Sequence, residues 1–293
     1  MQLAHDLLPD ATEMGPVTLA VADLDRMIAF YHGGLGLTVL AQAQGTAVLG
    51  RRGIPTLRLD QDGTLAHAPA TAAGLYHTAF LFDTAADLAS AVNSVAHHPT
   101  AMYQGAADHL VSEAFYFGDP EGNGVEMYVD RPRDQWQIGP HGEVEMGTLH
   151  LDPNRYLRDN LTESGARSVA DTPARVGHVH LKVGDLATAR QFYVDTLGFA
   201  VTASYGQQAL FVSAGGYHHH VGMNTWESRG AGERSPALGL GEVTIELPDH
   251  DAVGALAERV RDRGIAQAFD GAELTVHDPW RNRIRVTSAT DAG

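Results

Sequence analysis

The sequence predicts an α+β fold built from four βαβββ modules. Two observations carry this. Val17–Leu40 and Val179–Ala203 each read as a short alternating strand, a Val-x-Asp-Leu step, a segment bearing Phe-Tyr, then Leu-Gly and another strand. Two weaker copies, Leu75–Val95 and Leu240–Arg263, repeat the strand and the helix. Each weak copy later runs through an Asp-Pro turn into an alternating strand, FGDPEGNGVEMYVD (Phe117–Asp130) and HDPWRNRIRVTS (His277–Ser288).

Each element has a local reason. Asp23 and Asp185 stand where a helix N-cap belongs, because a short carboxylate can accept from the first unpaired backbone N–H groups. Phe30, Tyr31, Phe192 and Tyr193 are core residues of the helix that follows. Gly36 and Gly198 suit the left-handed exit of that helix. Asp-Pro-x-x-Asn is a turn signal ahead of a strand. The modules begin near residues 15, 74, 175 and 238. Residues 131–174 hold Pro, Asp, Arg and Gly without clear periodicity, plus one short helix around Asn154–Gly165, and read as a linker. The expected division is a domain at 1–130 (modules 1 and 2), the linker 131–174, and a domain at 175–293 (modules 3 and 4).

Composition narrows the function. The 293 residues are 44% hydrophobic and 19% charged, which is globular. With 36 acidic against 20 basic residues the formal charge is −16, which argues against nucleic acid or an anionic membrane as partner. No apolar run approaches the roughly 18 residues of a membrane span, and the N-terminus lacks the basic and apolar regions of a secretory signal. A cytoplasmic location is expected. Cysteine is absent, which removes disulfides, thiolate nucleophiles and Cys-ligated metals, while histidine numbers 16. Any metal site must therefore use imidazoles and carboxylates, a set suited to Fe(II), Mn(II) or Zn(II).

The modular pattern resembles the vicinal oxygen chelate superfamily (glyoxalase, bleomycin-resistance and extradiol-dioxygenase proteins), over nearly the whole chain. The resemblance implies two glyoxalase-like domains, in which paired modules curl into a cup around one metal or ligand. It also implies where ligands fall. The first strand of a module can carry a metal-binding His, five residues before the Val that precedes Asp-Leu. At that place stand Pro16 in module 1, His77 in module 2, His178 in module 3 and Glu242 in module 4. The last strand can carry a carboxylate: Glu126 in module 2, but Arg285 in module 4. Modules 1 and 4 therefore look emptied, with Glu242 and Arg285 expected to form a buried ion pair. Modules 2 and 3 keep His77, Glu126 and His178, the two-His, one-carboxylate set of non-haem Fe(II) oxygenases, with positions left for substrate and O2. Taken singly, each has a plainer reading. A lone His on a strand is more often a core or surface residue, and Glu126 facing inward needs a metal or an Arg to compensate its charge.

Within the superfamily the chain resembles the extradiol catechol dioxygenases. His109 and Tyr116 lie where those enzymes carry a second His and a Tyr that handle the substrate oxygens, although a polar loop His and a core Tyr would read the same. The strings GLYH, DHLVSEA, GHVHLKV and YHHHVGMNTW are similar to bacterial catechol-2,3-dioxygenase-like proteins. In Gly216–Gly222 strand alternation puts His218 and His220 on one face and His219 on the other. Either His218 or His220 is the expected acid–base residue, or a fourth metal ligand. The site draws on modules 2 and 3, which must pair within one chain or across a homodimer. The expected activity is Fe(II)-dependent extradiol cleavage of a small aromatic diol, with O2 as co-substrate and Mn(II) or Zn(II) as alternative metals. The rival readings are another metalloenzyme of the superfamily (glyoxalase, isomerase or epimerase type), a non-enzymatic small-molecule or drug-binding protein, and a dead homologue.

Overall fold

The computed structural model describes residues 7–140, 142–169 and 172–291. Residues 1–6, part of the N-terminal stretch searched for a signal, lie outside them.

All four modules have the expected βαβββ order. Module 2 runs Gly74–Phe82, the helix Ala85–His97, then Met102–Asp108, Ser112–Gly118 and Gly124–Asp130. Module 3 runs Ala174–Lys182, the helix Leu186–Arg190 widening into a π-turn at Gln191–Thr196, then Ala200–Tyr205, Ala209–Ser213 and Val221–Asn224. The caps are as expected: Asp23 accepts from the Arg26 N–H and Asp185 from the Thr188 N–H. Gly36 and Gly198 leave their helices at φ +71° and +95°.

The modules assemble into two nine-stranded sheets, and each sheet draws on both halves of the chain. In one, the first strand of module 1 (Val17–Val21) runs antiparallel to that of module 4 (Gly239–Leu247). In the other, Gly74–Phe82 of module 2 runs antiparallel to Ala174–Lys182 of module 3, with His77 opposite His180. Modules 2 and 3 therefore pair within one chain. The residues 131–174 form the crossing. They add a two-residue strand, Leu149–His150, to the edge of the second sheet. Their described residues also hold two α-helices, Pro153–Asn160 and Glu163–Arg167, where one was expected. Thr162 divides them, because its side chain caps the second.

The Phe-Tyr and Asp-Pro motifs meet across modules. Tyr31 OH donates to Asp119 Oδ2 at 2.9 Å, and Tyr193 OH to Asp278 Oδ2 at 3.0 Å. Each aspartate also accepts the backbone N–H and the amide of the Asn four residues on. The motif tyrosines are thus both core residues and links from module 1 to module 2 and from module 3 to module 4. No helix among the described residues is long and apolar enough to cross a membrane.

Candidate metal centre

The second sheet has one apolar and one polar face. In the strand Ser112–Gly118, Phe115 and Phe117 enter the main core while Tyr116 points to the other side, which lines a cavity of 790 Å³. In Gly124–Asp130, Met127 enters the core and Glu126 lines the cavity, directly opposite Tyr116 in the register. His77, His178 and His180 join the same lining from the two antiparallel first strands.

Three side chains converge there. His178 Nε2–H donates to Glu126 Oε2 at 3.1 Å. His77 Nε2 approaches the same oxygen at 2.8 Å, yet not aligned as a hydrogen bond, and no other aligned partner for this buried nitrogen stands among the described residues. One donor atom from each of His77, Glu126 and His178 lies within 4.8 Å of the others, and all three residues are buried. Neighbouring ligands of an octahedral ion at about 2.1 Å stand about 3 Å apart, which is the spacing of both imidazole nitrogens from the carboxylate oxygen. The residues fit a divalent ion.

The electrostatics agree. Burial alone would raise the Glu126 carboxyl, but His178 and His77 beside it hold it well below the usual range. Burial pushes His178 down to about 4 against the opposing pull of Glu126. At neutral pH the site thus offers one carboxylate and a neutral His178, the protonation states a metal needs.

His109 and Tyr116 sit on the wall of the same cavity. His109 Nδ1 lies 2.6 Å from the Gly147 carbonyl, which can only accept, so Nδ1 carries the proton. Tyr116 OH and His109 Nε2 share a hydrogen bond of 2.6 Å. Burial, then Glu126, push the Tyr116 hydroxyl well above its usual range, so it stays a donor.

The triple histidine needs correction. The expected strand across 218–220 begins only at Val221. Gly215 and Gly216, at φ +58° and +65°, turn the chain first, so the face cannot be counted from the strand. His219 lines the large cavity, and His218 and His220 do not. His218 is buried against Asp130, with Nε2 at 2.9 Å from Oδ1. His220 lines a second, 130 Å³ cavity, and its Nδ1 accepts from the Ala214 N–H at 3.2 Å. His180 was missed, although its place two residues after His178 on one strand puts both on the same face. Its Nε2 is 3.1 Å from Asn224 Nδ2, and its ring stands 5.0 Å from that of His77. Tyr76, Tyr205, Phe211 and Trp226 complete an aromatic wall that no spacing rule reveals.

The module 1 and 4 sheet carries no such trio among the described residues. Glu242 instead pairs with Arg285 at 3.1 Å and with Arg283 at 2.8 Å. The expected pair exists, but it is only partly buried, because the Arg285 side chain is 30% exposed.

Comparison with known proteins gives the same family twice over. The model of the glyoxalase/bleomycin resistance protein/dioxygenase superfamily matches residues 13–127 and 175–286. The chain is 38% identical over 272 residues to a protein of Bacillus subtilis (strain 168) named catechol-2,3-dioxygenase, covering 92% of this chain and 94% of the relative. In fold it is similar to glyoxalase I from Zea mays, with TM-score 0.56 and 16% identity over 96% of this chain and 94% of that one. It is also similar to a candidate dioxygenase from Bacillus subtilis subsp. subtilis str. 168, with TM-score 0.63 and 12% identity over 94% of this chain and 85% of that one. The repeated modules, the paired sheets and these matches place the chain in the glyoxalase/bleomycin resistance protein/dioxygenase superfamily.

Proposed function

We propose that the protein is an Fe(II)-dependent extradiol dioxygenase that cleaves the ring of a catechol or related small aromatic diol in the cytoplasm. The observation that carries this is the convergence of His77 and His178 on one oxygen of Glu126, at 2.8 and 3.1 Å, on the floor of an aromatic-walled cavity. Three protein ligands leave positions for two diol oxygens and O2. The chemistry that Fe(II) supplies when bound is joint chelation of the diol and activation of O2. The protein's own part is binding and orientation. His77, Glu126 and His178 hold the ion. Tyr116 and His109 bind a substrate oxygen from the side of the wall, with the Tyr116 ring 5.6 Å from that of His77. The aromatic wall takes the ring and keeps water from it. The relative's name as a catechol-2,3-dioxygenase supports the same chemistry.

The test is anaerobic loading with Fe(II), followed by catechol and O2. A yellow ring-opened product and one O2 consumed per catechol are expected. Full activity surviving His77→Ala or Glu126→Ala would sink the assignment.

A further inference from the structure

The crossing segment, a linker by sequence, forms one wall of the large cavity. In the second sheet the strands that bear Glu126, His77 and His178 lie side by side in the middle, while Met102–Asp108 and Ala200–Tyr205 lie toward opposite ends. Residues 144–149 bridge those ends. The Val144 N–H donates to the Thr202 carbonyl at 2.8 Å, and Leu149 pairs with Asp108. So short a bridge requires the sheet to curl around the cavity until its ends approach. Gly147 is held twice by one residue: its N–H donates to the His109 carbonyl at 3.2 Å, and its own carbonyl lies 2.6 Å from His109 Nδ1. Alternation along the bridge then sets its faces. Val144 is buried, Glu145 is exposed, and Met146 and Thr148 line the cavity. Met146 packs against Phe211 and the small Ala203 and Ala209.

Met146 therefore stands across the cavity from the floor of candidate ligands, between His109 of one edge and Phe211 of the other. Rings lead from that floor to it: His178 to His219 at 4.1 Å, then His219 to Phe211 at 5.0 Å. The cavity of 790 Å³ falls among pockets of about 300–1,000 Å³ that enclose drug-sized ligands, and exceeds what an unsubstituted single-ring diol fills. A diol held at the floor by both oxygens turns its remote ring carbons away from the floor, toward the bridge. The packing around Met146 is apolar. Lys182, a cation in the lining, already donates to the Ala70 carbonyl at 2.8 Å and lies 3.9 Å from Glu227, so it does not call for an anionic substituent. We propose that Met146 is a specificity-determining residue, contributed by the crossing segment, that contacts an apolar substituent on the ring carbons remote from the two diol oxygens. An unbranched thioether suits that task, since it adapts to the shape it meets. The contact with a diol rests on the dioxygenase reading.

Calorimetry on the Zn(II)-loaded protein measures the binding of catechol and 4-tert-butylcatechol apart from turnover. The wild type is expected to bind the substituted diol about 10-fold more tightly, through burial of the butyl group. Met146→Ala is expected to cut that preference to about twofold or less, with the Kd for catechol, the Tm and the bound zinc unchanged. Met146→Leu, which keeps the apolar bulk, is expected to retain most of the preference. In the Fe(II)-loaded protein the ratio of kcat/KM for the two diols is expected to follow the same order. A preference that survives Met146→Ala overturns the proposal. So does an equal loss for both diols, which would make Met146 a support of the whole site. Catechol bound by the wild type without preference overturns the proposal alone, whereas binding of neither diol overturns the dioxygenase reading together with it.

Discussion

Tyr116 and His109 are locked together at 2.6 Å, and the lock is set from outside their module. The Gly147 carbonyl, in the segment that joins the two halves of the chain, accepts from His109 Nδ1–H and so orients the ring. Tyr116→Phe removes the hydroxyl and leaves His109 in place. In the Fe(II)-loaded protein the expected result is a loss of about 100-fold in kcat for catechol with iron content unchanged. Oxygen uptake and metal analysis check it, and an unchanged kcat counts against a role at the substrate.

Metal binding should register as stability, because the three candidate ligands come from strands of two modules. A ligand that binds only the folded protein adds about 2.7 kcal/mol at 100 times its Kd. Zn(II) or Mn(II) is therefore expected to raise the Tm of the wild type, and chelator to reverse the rise. Glu126→Gln removes the one carboxylate and should abolish most of the shift in calorimetry. An equal shift in both proteins would place the ion elsewhere.

Acid should unfold the protein through histidines buried in neutral form. Burial, then His218 and His178, push His220 down to about 3, and its Nδ1 is occupied by the Ala214 N–H. His180 and His219 are lowered in the same direction by burial. The unfolded chain takes up these protons below a pH of about 6.5, whereas the folded chain holds His220 neutral until about 3. Stability is therefore full above that upper value and falls with pH through the window. His220 alone contributes at most about 1.4 kcal/mol per pH unit. Denaturant titrations at pH 7 and 4.5 measure the slope. His220→Asn, which keeps an acceptor for Ala214 but cannot be protonated, should flatten it, and an unchanged slope would remove His220 from the account.

The tyrosine links between modules should be worth a buried, charge-assisted hydrogen bond. Tyr31→Phe leaves Asp119 with its backbone donors but removes the 2.9 Å contact from module 1. The expected cost is about 1–3 kcal/mol in denaturant unfolding, and Tyr193→Phe should match it at Asp278. A cost near zero in both would reduce these tyrosines to plain core residues.

Much of this protein is written in short-range order. The N-caps at Asp23 and Asp185, the left-handed Gly36 and Gly198, and the Asp-Pro-x-x-Asn turns are contacts within a few residues, so the modules are legible in the sequence. The meeting of His77, Glu126 and His178 was legible through the family resemblance, which implies a place for each in the first or last strand of a module. The His180 face was equally readable by alternation from His178. Other features had to wait for the tertiary structure. Which of His218, His219 and His220 meets the cavity depends on how the chain packs after two left-handed glycines, where no period applies. That Gly147 orients His109, and that Asp130 reaches His218, are contacts between segments far apart in sequence, set by the pairing of modules 2 and 3. Local backbone rules determine the elements, and the packing of irregular segments between sheets decides which histidine lines the cavity.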